Sequence, residues 1–369
     1  MMKVPFVDLT RQYDPLRAEI SAELSGIMDR TEFIGGPAVK AFEKDLATWL
    51  GEGQHVVAVG NATTGLEVAL WALDIGAGDE VITTVHTAIA TAEAITRRGA
   101  KVVFCDIDPV TYQLDTREVR KKVSPRTKAI IPVHLYGHPA DLDSVLAIAR
   151  EHNLRVVEDC SQAQGARYRG TRVGNFGDLA VFSFFPSKNL GGFGDGGAVA
   201  SKNPEWIHRI RMYCNHGRTD KYWHEFEGIN SRLDTTKAAI LRIGLRNLDD
   251  WNAGRQRAAA IYLEELKDVK AVQLPVPAEH CEAVYHLFVI QVPDRDKLAE
   301  YLAKQGISTG LHYPHSLNTL PAYAHLNQGA GHFPVAEHAV NHILSIPVFP
   351  KIREDEVRYV CQKIKEFYA

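Results

Sequence analysis

Five short apolar runs, His55–Val59, Glu80–Thr84, Lys101–Phe104, Ala129–Val133 and Arg155–Asp159, succeed one another with mostly helical pattern between them. Such runs suit strands covered on both faces, and helical crossovers between them dictate a parallel sheet. Leu179–Phe185 and Gly197–Ser201 add two strands, so the chain is expected to be an α/β protein with a large, mostly parallel seven-stranded sheet. Ahead of the sheet, residues from about 15 to 50 read as helices around the turn Phe33-Ile34-Gly35-Gly36-Pro37, with Val39, Phe42, Leu46 and Leu50 on one face. Beyond it a long helix, roughly Thr235–Leu266, leads to the strand His286–Val292 and the helices Arg295–Gln305 and Glu354–Phe367. A chain of 369 residues exceeds one comfortable core. We therefore expect a large α/β domain over residues 1–245 and a smaller C-terminal α+β domain over residues 246–369.

Forty-two basic against 45 acidic residues leave a net charge of −3 without a long basic run, so neither nucleic acid nor an anionic membrane surface is an implied partner. Cys105, Cys160, Cys214, Cys281 and Cys361 are widely spaced and form no C-x-x-C pair. That argues against a disulfide framework or a zinc cage and fits a reducing cytoplasm. The N-terminal residues carry no signal-like apolar segment, and no run approaches a membrane span. A cytoplasmic protein without a metal is the expectation. His338 and His342, four apart on a predicted helix, lack the glutamate-histidine pairing of a zinc protease, and His312 and His315 have metal-like spacing, but Pro314 between them suggests a turn.

Chemistry is concentrated where the strand Leu179–Phe185 ends and Lys188 meets the glycine-rich turn Gly191-Gly192-Phe193-Gly194-Asp195-Gly196-Gly197. A desolvated amine at a strand end can lose its charge and attack an aldehyde, as a Schiff-base lysine must. A strand-end lysine beside glycines also suits a solvated turn. Gly192, Gly194 and Gly197 match G-x-G-x-x-G, yet Ala198–Ser201 reads as a strand where a dinucleotide site needs a helix.

Other segments supply what a lysine-bound pyridoxal phosphate (PLP) would require. Asp159 ends a strand at the sheet's carboxyl edge, where it can pair with a pyridinium nitrogen or cap a turn. Asn61-Ala62-Thr63-Thr64-Gly65 reads as a strand-to-helix turn whose N–H groups and hydroxyls suit a phosphate, or as an ordinary N-cap. Ser183 and Ser187 offer further hydroxyls, and Gln162 lies three residues past Asp159.

These residues, with Phe6-Val7-Asp8-Leu9, Phe33–Pro37, Gly78–Ile82, Asp106–Pro109, Pro132–Gly137, Gly228–Leu233, His312-Tyr313-Pro314 and Ser345-Ile346-Pro347, resemble in order the DegT/DnrJ/EryC1/StrS family of PLP-dependent nucleotide-sugar aminotransferases. The resemblance spans nearly the whole chain and implies the aspartate-aminotransferase-like fold, PLP fold type I. It implies that Lys188 carries PLP as a Schiff base and that Asp159 pairs with the pyridinium. By the same likeness Gln162 contacts the phenolic oxygen, while Ala62, Thr63 and Ser183 hold the phosphate. It also implies a homodimer with shared sites, in which Asn230 reaches the neighbouring subunit's cofactor. His312 and Tyr313 would line the sugar pocket, with Arg218 and Arg232 near the nucleotide. Ala88 stands where many members carry an aromatic ring over the cofactor, so His86 is predicted to supply that face. Gln164 stands where many have histidine.

The expected reaction is ping-pong transfer of an amino group from L-glutamate, which leaves 2-oxoglutarate and pyridoxamine phosphate, to the ketone of a dTDP- or UDP-linked deoxy sugar. The segments Val85–Thr91 and Asn230–Asp234 are most similar to members acting on 3-oxo sugars. A 4-oxo sugar, a carbocyclic ketone, a PLP lyase and a non-catalytic regulatory protein are the alternatives. Deoxyamino-sugar synthesis for lipopolysaccharide, O-antigen or another glycan is the setting that the likeness implies.

Overall fold

The computed structural model describes residues 2–369. Seven strands form one sheet: β1 (His55–Val59), β2 (Glu80–Thr84), β3 (Lys101–Cys105), β4 (Thr127–Ile131), β5 (Arg155–Asp159), β6 (Leu179–Ser183) and β7 (Gly197–Ser201). Their spatial order is β1-β7-β6-β5-β4-β2-β3, with β7 antiparallel to both neighbours and the other pairs parallel. β4 begins two residues before its apolar run, at Thr127, and ends two residues before the run does, at Ile131, because Pro132 has no N–H to give the ladder.

The strand period of two divides the side chains between two cores. Val57, Val59, Val181 and Val199 pack with Leu66, Ala69 and Leu70 of helix α2 (Ala62–Ala72). Val56, Ala58, Phe182, Ala198 and Ala200 pack on the opposite face with Phe42 and Leu46 of α1 (Gly36–Leu50) and with Ile240, Leu241 and Leu248 of α4 (Thr235–Leu266). Both faces are therefore dry, and each buried Val, Leu, Ile or Phe contributes about 1.5–3 kcal/mol. Helix α3 (Ile89–Arg97) follows β2 and packs through Ala92 and Ile95.

The C-terminal lobe is built on the antiparallel pair β8 (Phe288–Gln291) and β9 (Ile343–Ile346), covered by the helices Arg295–Lys304 and Glu354–Tyr368. Its core joins Phe288, Ile290, Leu298, Ile346, Val357 and Ile364 to Tyr262 and Leu266 from the end of α4. The expected division at residues 245/246 falls inside α4, which runs unbroken for 32 residues. Val4 also joins this core, because it bridges the edge residue Ile307, accepting from Ser308 N at 3.0 Å and donating to Gly306 O at 2.9 Å. Val4 thus packs with the small lobe, while Phe6 and Tyr13 pack with the cores of the large sheet.

Candidate active site

A cavity of about 320 Å³ opens at the carboxyl edge of the sheet, lined by Ala62, Thr63, Asp159, Gln162, Ser183 and Lys188. Parallel strands bring their ends together there: Asp159 closes β5, Ser183 closes β6, and Ala62 begins α2 just after β1. Antiparallel β7 brings its first residue, Gly197, to the same edge, opposite both Val59 and Ser183. A Cβ on Gly197 would lie 2.6 Å from the Asn61 carbonyl carbon, so glycine alone lets β7 pass against the start of α2.

Asn61 caps α2, its side chain accepting from Thr64 N at 2.8 Å while its carbonyl accepts from Gly65 N. The N–H groups of Ala62 and Thr63 precede the first intrahelical bond and belong to residues of the cavity wall. Free N–H groups at a helix start, with the Thr63 and Ser183 side chains in the same wall, make a cradle for a dianion.

Asp159 is held from two sides. Thr91 on α3 donates to Oδ2 at 2.9 Å, and Ser161 N donates to Oδ1 at 3.1 Å. One residue earlier, Glu158 points to the opposite face of the strand. Its fully buried carboxylate accepts from Gly174, Phe176 and Gly177 N, each at 2.8 Å, and from His134 Nε2 at 3.1 Å. His134 Nδ1 accepts from Ala140 N, so Nε2 carries the proton given to Glu158. His134, Glu158 and Cys160 lie close enough to suggest a metal site, but these bonds already occupy both ring nitrogens and both carboxylate oxygens. The group is a structural clamp that fixes the register in which Asp159 faces the cavity.

Lys188 stands on the turn after β6, its N–H bonded to Phe185 O at 2.9 Å. Burial lowers its pKa to about 8, and the Asp159 carboxylate only partly restores it. A substantial neutral fraction near neutral pH is what a Schiff-base lysine needs. Next to it, Asn189 gives its amide N–H groups to Asn252 Oδ1 at 2.7 Å and Val284 O at 3.2 Å.

Gln162, a wall residue of the cavity, accepts from Tyr136 N at 2.8 Å and donates to the Tyr313 hydroxyl at 3.1 Å, while Tyr313 and His312 themselves stand outside its lining. Burial and the Asp159 carboxylate raise the Tyr313 phenol to about 12. His312 meets Ser345 Oγ through Nδ1 at 2.9 Å, stacks on Phe6, and is lowered to about 4 by burial and by the Lys188 charge. His86 departs from expectation. It is fully buried, its Nε2 lies 2.6 Å from the Tyr136 hydroxyl, and the wall residues of its loop are Thr87, Ala88 and Ala90. Tethered behind that wall, it cannot present a ring face to the cavity as the sequence suggested.

Asn230 and Arg232 line a separate recess of about 270 Å³ that shares Asn61 with the Lys188 cavity. Arg232 donates to Asn215 Oδ1 at 3.3 Å, and Arg218 sits on a hairpin bridged to His224. None of Asn230, Arg232 and Arg218 reaches the Lys188 cavity of its own chain. His338 and His342 stack at 4.0 Å on a helix that carries them outward. Sequence reasoning missed Thr91 and Tyr136. A hydroxyl on the apolar face of α3 and an aromatic residue directly before Gly137 were the available signals.

The free amine, the held carboxylate and the unbonded N–H pair at the start of α2 fit the aldehyde, pyridine nitrogen and phosphate of PLP. The DegT/DnrJ/EryC1/StrS aminotransferase family matches residues 14–365. A dTDP-3-amino-3,4,6-trideoxy-alpha-D-glucose transaminase of Streptomyces venezuelae is 43% identical over 365 residues, 99% of this chain and 96% of that protein. A protein of Geobacillus stearothermophilus named as a pleiotropic regulatory protein is also 43% identical, over 100% of this chain and 99% of its own. The solved structure of S. venezuelae DesV in complex with a ketimine intermediate superimposes with a TM-score of 0.97 at 42% identity, covering 100% of this chain and 99% of that one. The chain belongs to the DegT/DnrJ/EryC1/StrS aminotransferase family and is a PLP-dependent transaminase with the fold of its relatives.

Proposed function

We propose that this transaminase moves an amino group from L-glutamate to the ketone of a dTDP- or UDP-linked deoxy sugar, with a 3-oxo sugar as the favoured acceptor. The observation that carries the reading is the convergence of Lys188, Asp159 and the α2 N-terminus on one cavity. The Streptomyces venezuelae relative, named for a 3-amino dTDP sugar, supports the position and carrier. Lys188 and Asp159 are both present, which supports catalysis over the regulatory role named for the Geobacillus relative.

PLP, when bound, supplies the aldehyde carbon and the electron-withdrawing ring. Lys188 Nζ would hold that carbon between turnovers and, once displaced, would move the proton from Cα of the amino donor to that same carbon. In the second half-reaction the same nitrogen would carry a proton the other way, from the former aldehyde carbon to the former keto carbon of the sugar. Asp159 would hold positive charge at the pyridine nitrogen, Gln162 would meet the phenolic oxygen, and Ala62, Thr63 and Ser183 would bind phosphate. His312 and Tyr313 face the sugar.

Exposed Phe33, Ile34, Phe185 and Phe193 lie on the segments that bear the cavity and its neighbouring recess. They support a homodimer in which Asn230 completes the partner's phosphate site and Arg218 and Arg232 approach its nucleotide. We assign the enzyme to cytoplasmic synthesis of deoxyamino sugars for lipopolysaccharide or another glycan. Among the described residues no helix is long and apolar enough to cross a membrane.

Adding L-glutamate to the purified yellow protein tests the reading. Loss of absorbance near about 420 nm with release of 2-oxoglutarate is expected. Colour that survives in Lys188→Ala would overturn the lysine's role. A screen of dTDP- and UDP-linked 3-oxo and 4-oxo sugars, beside carbocyclic ketones, identifies the acceptor.

A further inference from the structure

The polar groups of Tyr136 reach Gln162 in the cavity wall, His86 behind it, and both lobes. Its backbone N–H donates to Gln162 Oε1 at 2.8 Å, and its carbonyl accepts from Leu287 N of the small lobe at 3.3 Å. Its hydroxyl lies 2.5 Å from His312 O and 2.6 Å from His86 Nε2. A carbonyl can only accept, so the phenol donates to His312 and its oxygen accepts from His86. His86 is therefore the Nε2–H tautomer, and the atom left buried without a partner is its unprotonated Nδ1 and not an N–H.

The backbone is shaped for this contact. Tyr136 has φ +62°, a conformation that costs a non-glycine residue about 1 kcal/mol or more. Gly137 follows at φ +92°, where a Cβ would lie 2.7 Å from His286 N, and its carbonyl accepts from Val284 N at 2.9 Å. The turn is thus pressed against the small lobe, and the strain is held by bonds on every side.

We propose that Tyr136 is a positioning residue of the acceptor half-reaction: its hydroxyl fixes the His312–Tyr313 segment over the Gln162 amide that its own backbone orients. The sugar-facing segment and the cofactor-facing amide are then set by one residue, the first through its side chain and the second through its backbone. This rests on the reading that His312 and Tyr313 face the sugar. Glutamate needs Lys188, Asp159 and the phosphate cradle, none of which bonds the Tyr136 hydroxyl.

Tyr136→Phe removes the hydroxyl and keeps the ring and both backbone bonds. The two half-reactions are followed separately by absorbance in the holoenzyme, with L-glutamate and then with dTDP- and UDP-linked 3-oxo sugars. We expect KM for the sugar to rise about tenfold or more, with the glutamate half-reaction within about twofold of wild type. Calorimetric Kd for the corresponding 3-amino sugar should rise by the same factor. Tyr112→Phe, at a buried tyrosine 6.0 Å away that does not touch His312, should change neither. Equal losses in both half-reactions, or none, would overturn the proposal. Independently of any variant, nitrogen-15 NMR of the wild-type protein should show His86 protonated at Nε2, and an Nδ1–H tautomer would overturn it. A wild-type protein inert toward glutamate sinks the aminotransfer reading instead, and leaves the tautomer measurement standing.

Discussion

Thr91 donates its hydroxyl to Asp159 Oδ2 at 2.9 Å, joining helix α3 to the end of strand β5 at the cavity floor. Only Ser161 N shares that carboxylate, so Thr91 supplies half of its bonds within the protein. Thr91→Val keeps the shape and deletes the donor. Loss of one charge-assisted hydrogen bond, about 1.5–3 kcal/mol, predicts a fall in kcat of about tenfold to a hundredfold and weaker retention of PLP on dialysis. Thermal stability should change little by comparison. Wild-type turnover in this variant would show that Thr91 does not position Asp159.

Lys188 without its cofactor is a desolvated amine with a pKa of about 8 against 10.5 in the unfolded chain. The unfolded state therefore binds more protons between those values, and apoenzyme stability rises with pH from about 8 to 10.5. Lys188→Met removes the buried charge. It should stabilise the apoenzyme by about 1–3 kcal/mol at pH 7, a gain that shrinks as the pH climbs through that window. Urea unfolding of both apoproteins at pH 7 and pH 10 measures it. A variant less stable than wild type at pH 7 would contradict the desolvation argument.

Acid acts through four histidines held neutral. Burial lowers His86, His138 and His312 to about 4 and His286 well below its ordinary 6.5, with the Lys188 and Arg255 charges adding to the effect on His286. Depressed imidazoles are protonated first in the unfolded chain, so their contribution is whole above pH 6.5 and is lost as the pH falls toward 4. Each adds a slope of up to about 1.4 kcal/mol per pH unit, about 5 for the four together. The urea midpoint should drop steeply between pH 6.5 and 5, before the carboxylates titrate. A midpoint flat across that interval would mean these imidazoles are solvated.

The fold was legible because a doubly covered parallel sheet writes its strands as bare apolar runs, and because Asp159 and Lys188 both follow such runs. The helix Thr235–Leu266 was equally plain from its spacing of Ile240, Ile243, Leu248 and Trp251. What could not be read was depth. His86 and Ala88 are two residues apart on one loop, and only the 2.6 Å contact to Tyr136 puts the histidine behind the wall. Thr91 and Tyr136 act through partners 68 and 176 residues away, Asp159 and His312, which no local pattern reports. The packing of Val4 was illegible for the same reason, since its partner is Ile307.

Shared sites make a prediction that needs no knowledge of the sugar. Asn230 is exposed and lies outside the Lys188 cavity of its own chain, in the recess beside Asn61. If it completes the partner's phosphate site, Lys188→Ala and Asn230→Ala homodimers are each impaired at both sites. A mixed dimer then carries both lesions at one site and none at the other. Random reassociation of equal amounts makes half the dimers mixed, so about a quarter of all sites regain full wild-type composition. The two preparations, unfolded together and refolded with PLP, should therefore reach about a quarter of wild-type glutamate turnover, plus about a quarter of whatever the Asn230→Ala parent retains. If each subunit instead owned a complete site, every site would keep one lesion and the mixture would show only the average of its two parents.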